Sequence, residues 1–137
     1  GRLTVEEGLR GARLLDDTYN ANPGAMKAAI DALLGLPGPH WCLLGAMGEL
    51  GEASADLHAE IGRYARERGI TFLGTLGEAA ETAARAFGEG GYHFSDQAAM
   101  VRHVRQHLPE AASVLVKGSR AAGMEGVVAA LRPDVSR

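Results

Sequence analysis

The sequence predicts a doubly wound α/β domain whose mostly parallel sheet is covered by helices on both faces. Three observations lead there. Short apolar segments recur at 12–15, 41–44, 70–73, 92–94 and 113–116, and each is followed by a helical pattern. The segments lack polar alternation, as expected of parallel strands buried on both sides. Glycines such as Gly45, Gly77 and Gly118 fall just after apolar runs, where a strand hands over to a helix and the backbone needs room to turn.

Taken in order, Leu3-Thr4-Val5 is expected to form a short extra strand, with 8–11 turning into the first main strand, Ala12–Leu15. The polar run Asp16-Asp17-Thr18-Tyr19-Asn20-Ala21-Asn22-Pro23 follows. Asn22-Pro23 marks a helix start, because Asn caps free N–H groups and Pro at the first position loses nothing by lacking its own. Met26, Ile30, Leu33 and Leu34 then share a helix face. Trp41–Leu44 is the second strand, and the next helix buries Leu57, Ile61, Tyr64 and Ala65. Ile70–Leu73 leads to an alanine-rich helix with a weak stripe at about 78–87.

After Tyr92–Phe94, Ser95 is the expected N-cap of a helix burying Val101, Val104 and Leu108. Ser113–Val116 leads to a last helix from about Arg120 to Leu131, with Met124, Val127, Val128 and Leu131 on one side. Its interior Gly123 and Gly126 each cost about 1 kcal/mol against alanine, so its start is expected to be loose or closely packed. The whole is Rossmann-like. Residues 1–132 are expected to form a single domain and 133–137 a tail, with Gly1-Arg2 beginning as if cut from a longer chain.

Composition narrows the function. The chain has 137 residues, 46% hydrophobic and 23% charged, as in a soluble globular domain with one sizeable core. No apolar run reaches the ~18–20 residues of a membrane span, and no secretory leader is recognisable. Fourteen Lys and Arg are scattered among seventeen Asp and Glu, for a net charge of −3, which argues against nucleic acid as a partner. The single cysteine, Cys42, reads as a small buried strand residue rather than a nucleophile or ligand, and the expected compartment is cytoplasmic.

In an open parallel sheet, ligands bind beyond the carboxyl ends of the strands, where strand-to-helix loops and helix N-termini gather. The unexpected polar residues fall there: 16–22, the glycine-rich loop 45–52, Ser95-Asp96, and Lys117-Gly118-Ser119-Arg120. The last group, a cation leaving a buried strand followed by a hydroxyl and a guanidinium at a helix start, suits an anion. The same pattern also fits a solvated turn in which Lys117 pairs with Asp16 or Asp17. Adjacent strand residues face opposite ways, so one of these two carboxylates is expected to be structural.

Other candidates are weaker. The glycine spacing of 45–52 is wrong for a dinucleotide fingerprint, and Met47 and Leu50 are expected to plug that loop onto the core. His58 and Glu60 are two apart and diverge. His103 and His107 have metal-compatible spacing but no third ligand in view, so an exposed helix flank is expected. Neither Lys27 nor Lys117 lies in a triphosphate-gripping loop, and no nucleophile–histidine–acid set stands out.

These motifs together resemble the carboxy-terminal domain of the Mur ligases of bacterial cell-wall synthesis, most nearly the D-alanyl-D-alanine-adding members. The resemblance runs from Gly1-Arg2 through 16–23, Leu-Gly-Ala-Met-Gly-Glu-Leu-Gly at 44–51, His93-Phe94-Ser95-Asp96 and Val-Lys-Gly-Ser-Arg at 116–120 to Met124-Glu125. It implies a three-domain peptidoglycan ligase with roles in cell shape and division. An amino-terminal domain would hold the UDP-sugar, and a central one the phosphate-binding loop, Mg ions and cationic machinery. ATP would phosphorylate the peptide carboxylate of UDP-N-acetylmuramoyl-tripeptide, and the amine of D-Ala-D-Ala would attack the acyl phosphate as the carboxy-terminal domain closes over the site.

By that resemblance Arg2 contacts nucleotide phosphate, Asp17 accepts bonds from the ribose hydroxyls, and Tyr19, Asn20 and Asn22 lie near the nucleoside. Lys117, Ser119 and Arg120 would face D-Ala-D-Ala, whose carboxylate suits Arg120. Ala46 departs from the family, which commonly has Asp there, and Glu49 is not assigned to catalysis in its place. The domain alone is expected to be inactive. A sister Mur or folylpolyglutamate-type ligase is expected to carry Lys-Gly-His-Glu where this chain has Lys-Gly-Ser-Arg. A non-catalytic nucleotide- or protein-binding module is the remaining alternative.

Overall fold

The structure, a computed structural model, describes residues 4–18 and 21–133. Among these residues six strands form one sheet: β1 (Thr4–Glu7), β2 (Arg13–Asp17), β3 (His40–Gly45), β4 (Phe72–Leu76), β5 (Gly91–Phe94) and β6 (Ser113–Lys117). Five helices accompany them: α1 (Pro23–Leu34), α2 (Ser54–Glu67), α3 (Glu81–Phe87), α4 (Gln97–His107) and α5 (Glu125–Leu131). The strand order is β1-β2-β6-β3-β4-β5, with β1 antiparallel to β2 and every other pair parallel. The doubly wound α/β reading therefore holds, and the expected extra strand is the antiparallel edge.

The unbroken apolar strands feed two cores by simple alternation. Leu14, Trp41, Leu43, Val114 and Val116 face α4 and α5, where they meet Met100, Val104, Val127 and Leu131 together with Met124 just before α5. Their neighbours Leu15, Cys42, Leu44 and Leu115 face the other way, onto Met26, Ile30 and Leu33 of α1, Ile61 of α2 and Phe87 of α3. On the first face Trp41 stacks on Phe72 at 4.0 Å, and Phe72 stacks in turn on Tyr92 and His103.

The starts of α1 and α4 are set by side-chain acceptors. Asn22 Oδ1 accepts from the Ala25 N–H at 2.8 Å with Pro23 opening α1, as the sequence predicts. At α4 the cap is Asp96 rather than Ser95: its Oδ1 accepts from the Ala99 N–H at 2.8 Å, so the helix begins one residue later than expected. The last helix is also shorter than predicted. A 3₁₀ turn at 120–122 is separated from α5 by Gly123 at φ 66°, a left-handed conformation that interrupts helical bonding. The neighbourhood is closely packed. Gln97 Nε2 donates to the Gly123 carbonyl at 3.0 Å, and a Cβ on Gly126 would lie 2.3 Å from Gln97 Oε1.

Helices α2 and α3 approach closely through Gly62, where an added Cβ would sit 2.1 Å from the backbone oxygen of Ala83. Gly62→Ala would gain up to ~1 kcal/mol of helix propensity but lose about 1–3 kcal/mol to overpacking against a backbone that cannot rotate away. Net destabilisation is expected, read as a lower urea midpoint with an unchanged slope.

Candidate functional site

The carboxyl ends of β2, β6 and β3 lie side by side. Asp17 is in register with Lys117, and Lys117 with Leu44. Leu15 and Leu115 point into the α1-side core, so Asp17 and Lys117, each two residues further on, project from the same side of the sheet. The Lys117 ammonium donates to Asp17 Oδ2 at 2.6 Å, with Lys117 1% exposed and Asp17 9%. Of the alternatives read for Lys117, the carboxylate pairing is realised, with Asp17 and not Asp16 as the partner. Lys117 is buried at its strand end, whereas Ser119 beyond it is half-buried and Arg120 exposed.

The two loops beyond this pair are joined as well. The Ser119 N–H donates to the Ala46 carbonyl at 3.1 Å. Gly118 and Gly45 make that approach feasible. A Cβ on Gly118 would meet Met124 Cγ at 2.8 Å and the Gly45 Cα at 3.1 Å, and one on Gly45 would meet Ala122 Cβ at 2.7 Å. A groove of about 740 Å³ opens above, lined by Ala21, Asn22, Gly48, Glu49, Ser119 and Arg120. A smaller cavity of about 360 Å³ adjoins it, sharing Gly48 and Ser119 and walled by Ala46, Leu76 and Ala122.

Asn22, Ser119 and Arg120 thus border one groove, with the Asp17–Lys117 pair at the strand ends beneath the same loops. Arg2, Tyr19 and Asn20 lie outside the described residues. Glu49 joins the groove wall in a left-handed conformation, φ 58°, which a residue with a Cβ adopts only when its surroundings enforce it. Asn22 and Ser119 present amide and hydroxyl groups and Arg120 an exposed guanidinium, a set suited to a polar, anionic ligand.

The remaining candidates resolve simply. Met47 is buried and Leu50 packs on the α1-side core, so both plug the loop as expected. Cys42 is wholly buried, and burial pushes its thiol far above the usual range, which removes it as a nucleophile. His103 and His107 lie ring to ring at 4.5 Å beside Tyr92 and Phe94; burial, with a smaller contribution from His107, lowers the pKa of His103. Among the described residues no three His, Cys, Asp or Glu side chains converge as metal ligands. No helix among them is long and apolar enough to cross a membrane. Glu60 turns outward to pair with Lys27, whereas His58 is buried beneath Met47, a placement that spacing alone did not reveal.

Comparison with known proteins bears on this rim. A family model described as "Mur ligase, glutamate ligase domain" matches residues 1–120. The chain belongs to the Mur ligase family. Among Mur ligases it is 38% identical over 136 residues to the UDP-N-acetylmuramoyl-tripeptide–D-alanyl-D-alanine ligase of Escherichia coli, covering 98% of this chain and 30% of that protein. It is similar in structure to the MurF ligase of Thermotoga maritima crystallised with ADP, at TM-score 0.81 and 30% identity, over 95% of this chain and 30% of that one. It also resembles a MurF of Acinetobacter baumannii, at TM-score 0.82 and 32% identity, over 93% and 29% of the two chains. The chain spans about three tenths of the length of the relatives it matches.

Two outcomes follow from the geometry. Asp17→Asn and Lys117→Met should each lower stability by about 3–5 kcal/mol, because each removes the opposite charge of a buried pair, and the double variant should lose much less than their sum. A urea-unfolding double-mutant cycle measures this. Cys42 should stay unmodified by an aromatic disulfide reagent in the native protein and react fully once the chain is unfolded in guanidinium.

Proposed function

We propose that this chain is the carboxy-terminal domain of an ATP-dependent amide ligase that joins D-Ala-D-Ala to UDP-N-acetylmuramoyl-tripeptide in cytoplasmic peptidoglycan synthesis. The observation that carries the reading is the meeting of the end of β2 and Ala21–Asn22 with the 45–52 loop and the Lys117–Arg120 corner along one rim. Relatives aligned over nearly the whole chain bear that ligase name, and one is described in complex with ADP.

In this reading the γ-phosphoryl group of ATP passes to the tripeptide carboxylate, giving an acyl phosphate and ADP. The D-Ala-D-Ala amine attacks the acyl carbon, inorganic phosphate leaves, and the amine proton is lost. Central and amino-terminal domains supply the phosphate-binding loop, Mg²⁺ and the UDP-sugar site. This domain supplies two partial surfaces. Arg2, Asp17, Tyr19, Asn20 and Asn22 serve the nucleotide: a carboxylate offers only acceptors, which suits ribose hydroxyls, and Asp17 keeps Oδ1 for that purpose while Oδ2 takes the Lys117 proton donor. Ser119 and Arg120 serve the dipeptide, with Arg120 on its carboxylate. Lys117, 1% exposed, contributes through the carboxylate and strand end it holds.

The full-length protein should release ADP and phosphate only when UDP-N-acetylmuramoyl-tripeptide and D-Ala-D-Ala are both present. Turnover with another amine instead would redirect the reading to a sister ligase, and nucleotide binding without turnover to a binding module. Arg120→Ala should raise KM for D-Ala-D-Ala by roughly 10- to 100-fold, as expected for losing a charge-assisted contact, with KM for ATP nearly unchanged. Asp17→Asn should show the opposite bias. Equal effects on both substrates would abolish the division of the rim into two surfaces.

A further inference from the structure

His58 lies on the second turn of α2, 2% exposed, and spends both ring nitrogens on backbone. Its Nε2 accepts from the Met47 N–H at 2.9 Å, and its Nδ1 donates to the Ser54 carbonyl at 2.8 Å. Only the neutral ring with its proton on Nδ1 satisfies both, since the other tautomer would set two N–H groups against each other. Met47 N is therefore held from below by a side chain eleven residues on.

The held residue occupies a sensitive place. Ala46, immediately before it, accepts from the Ser119 N–H and so ties the loop to the Lys117–Arg120 corner. Gly48 and Glu49, immediately after it, line the large groove, with Glu49 at φ 58°. Three glycines in the loop, Gly45, Gly48 and Gly51, leave its backbone otherwise permissive. The Met47–His58 hydrogen bond thus adds a backbone tie to a loop whose Met47 and Leu50 side chains pack on the core.

We infer that His58 is a positioning residue for the rim: by accepting the Met47 N–H it fixes loop 45–52 in the conformation that presents Gly48, Glu49 and Ser119 to substrate. The inference rests on the rim being the substrate surface proposed above. It concerns a residue that touches no substrate itself.

Two substitutions separate this role from packing. His58→Asn keeps a donor close to Ser54 but is too short to reach Met47, whereas His58→Gln can return an acceptor to it. In the full-length protein, amide exchange of peptides covering 45–52 should quicken at least tenfold in His58→Asn and return towards the native rate in His58→Gln. Exchange over 59–67 should stay native in both. The kcat/KM for D-Ala-D-Ala should fall at least tenfold in the Asn variant, mainly through KM, and recover to within threefold in the Gln variant.

Native exchange over 45–52 in His58→Asn, or an equal rise over 59–67, would overturn the inference. So would fast exchange with unchanged kinetics, or kinetics in His58→Gln as poor as in His58→Asn. If the native protein itself fails to ligate D-Ala-D-Ala, the functional reading falls on that result, and the exchange rates still decide whether His58 fixes the loop.

Discussion

The buried ion pair between Asp17 and Lys117 is the constraint around which the rim is built. It joins the last residues of two adjacent parallel strands that are one hundred positions apart in sequence. Desolvating both charges is unfavourable in itself, so a pair of this kind is a poor source of net stability. Its effect is specificity of arrangement. With a lysine buried at the end of β6, only a register and a strand order that place a carboxylate beside it are tolerable, and β2 meets that demand. The chain leaving β2 at Asp17 and the corner after β6 then emerge side by side.

Small residues complete what the pair begins. Gly45 and Gly118 let two backbones approach under Met124, and the Ser119–Ala46 hydrogen bond closes the gap between neighbouring loops. Larger side chains at either glycine would force the loops apart and widen the rim. Chemistry at such an edge requires groups from distant parts of the chain to hold their separation, and here that separation is set by backbone contacts rather than by long flexible side chains.

Much of this was legible in the sequence. The unbroken apolar strands reported burial on both faces because Leu14 and Leu15, or Trp41 and Cys42, serve opposite cores. Opposite facing of adjacent strand residues also implied that only one of Asp16 and Asp17 would be structural, and the pairing of Lys117 with an aspartate was one of two open readings. Three features were hidden. The cap at Asp96 was obscured because Ser95, its neighbour, is an equally good capping residue. The late start of α5 depended on the left-handed turn at Gly123, which competes with an otherwise continuous apolar stripe. His58 gave no signal, since its partner is a backbone N–H and leaves no mark in residue spacing.

The stacking of Trp41 on Phe72 gives the molecule an optical asymmetry. The only indole of the chain is 7% exposed and belongs to the α4–α5 face, with Phe72 between it and His103. Its emission reports that layer alone and is blind to the layer beneath α1, α2 and α3. Loss of fluorescence that coincides with loss of far-ultraviolet helicity would mark both layers as one cooperative unit, because the helical signal counts helices on both faces whereas the indole belongs to one.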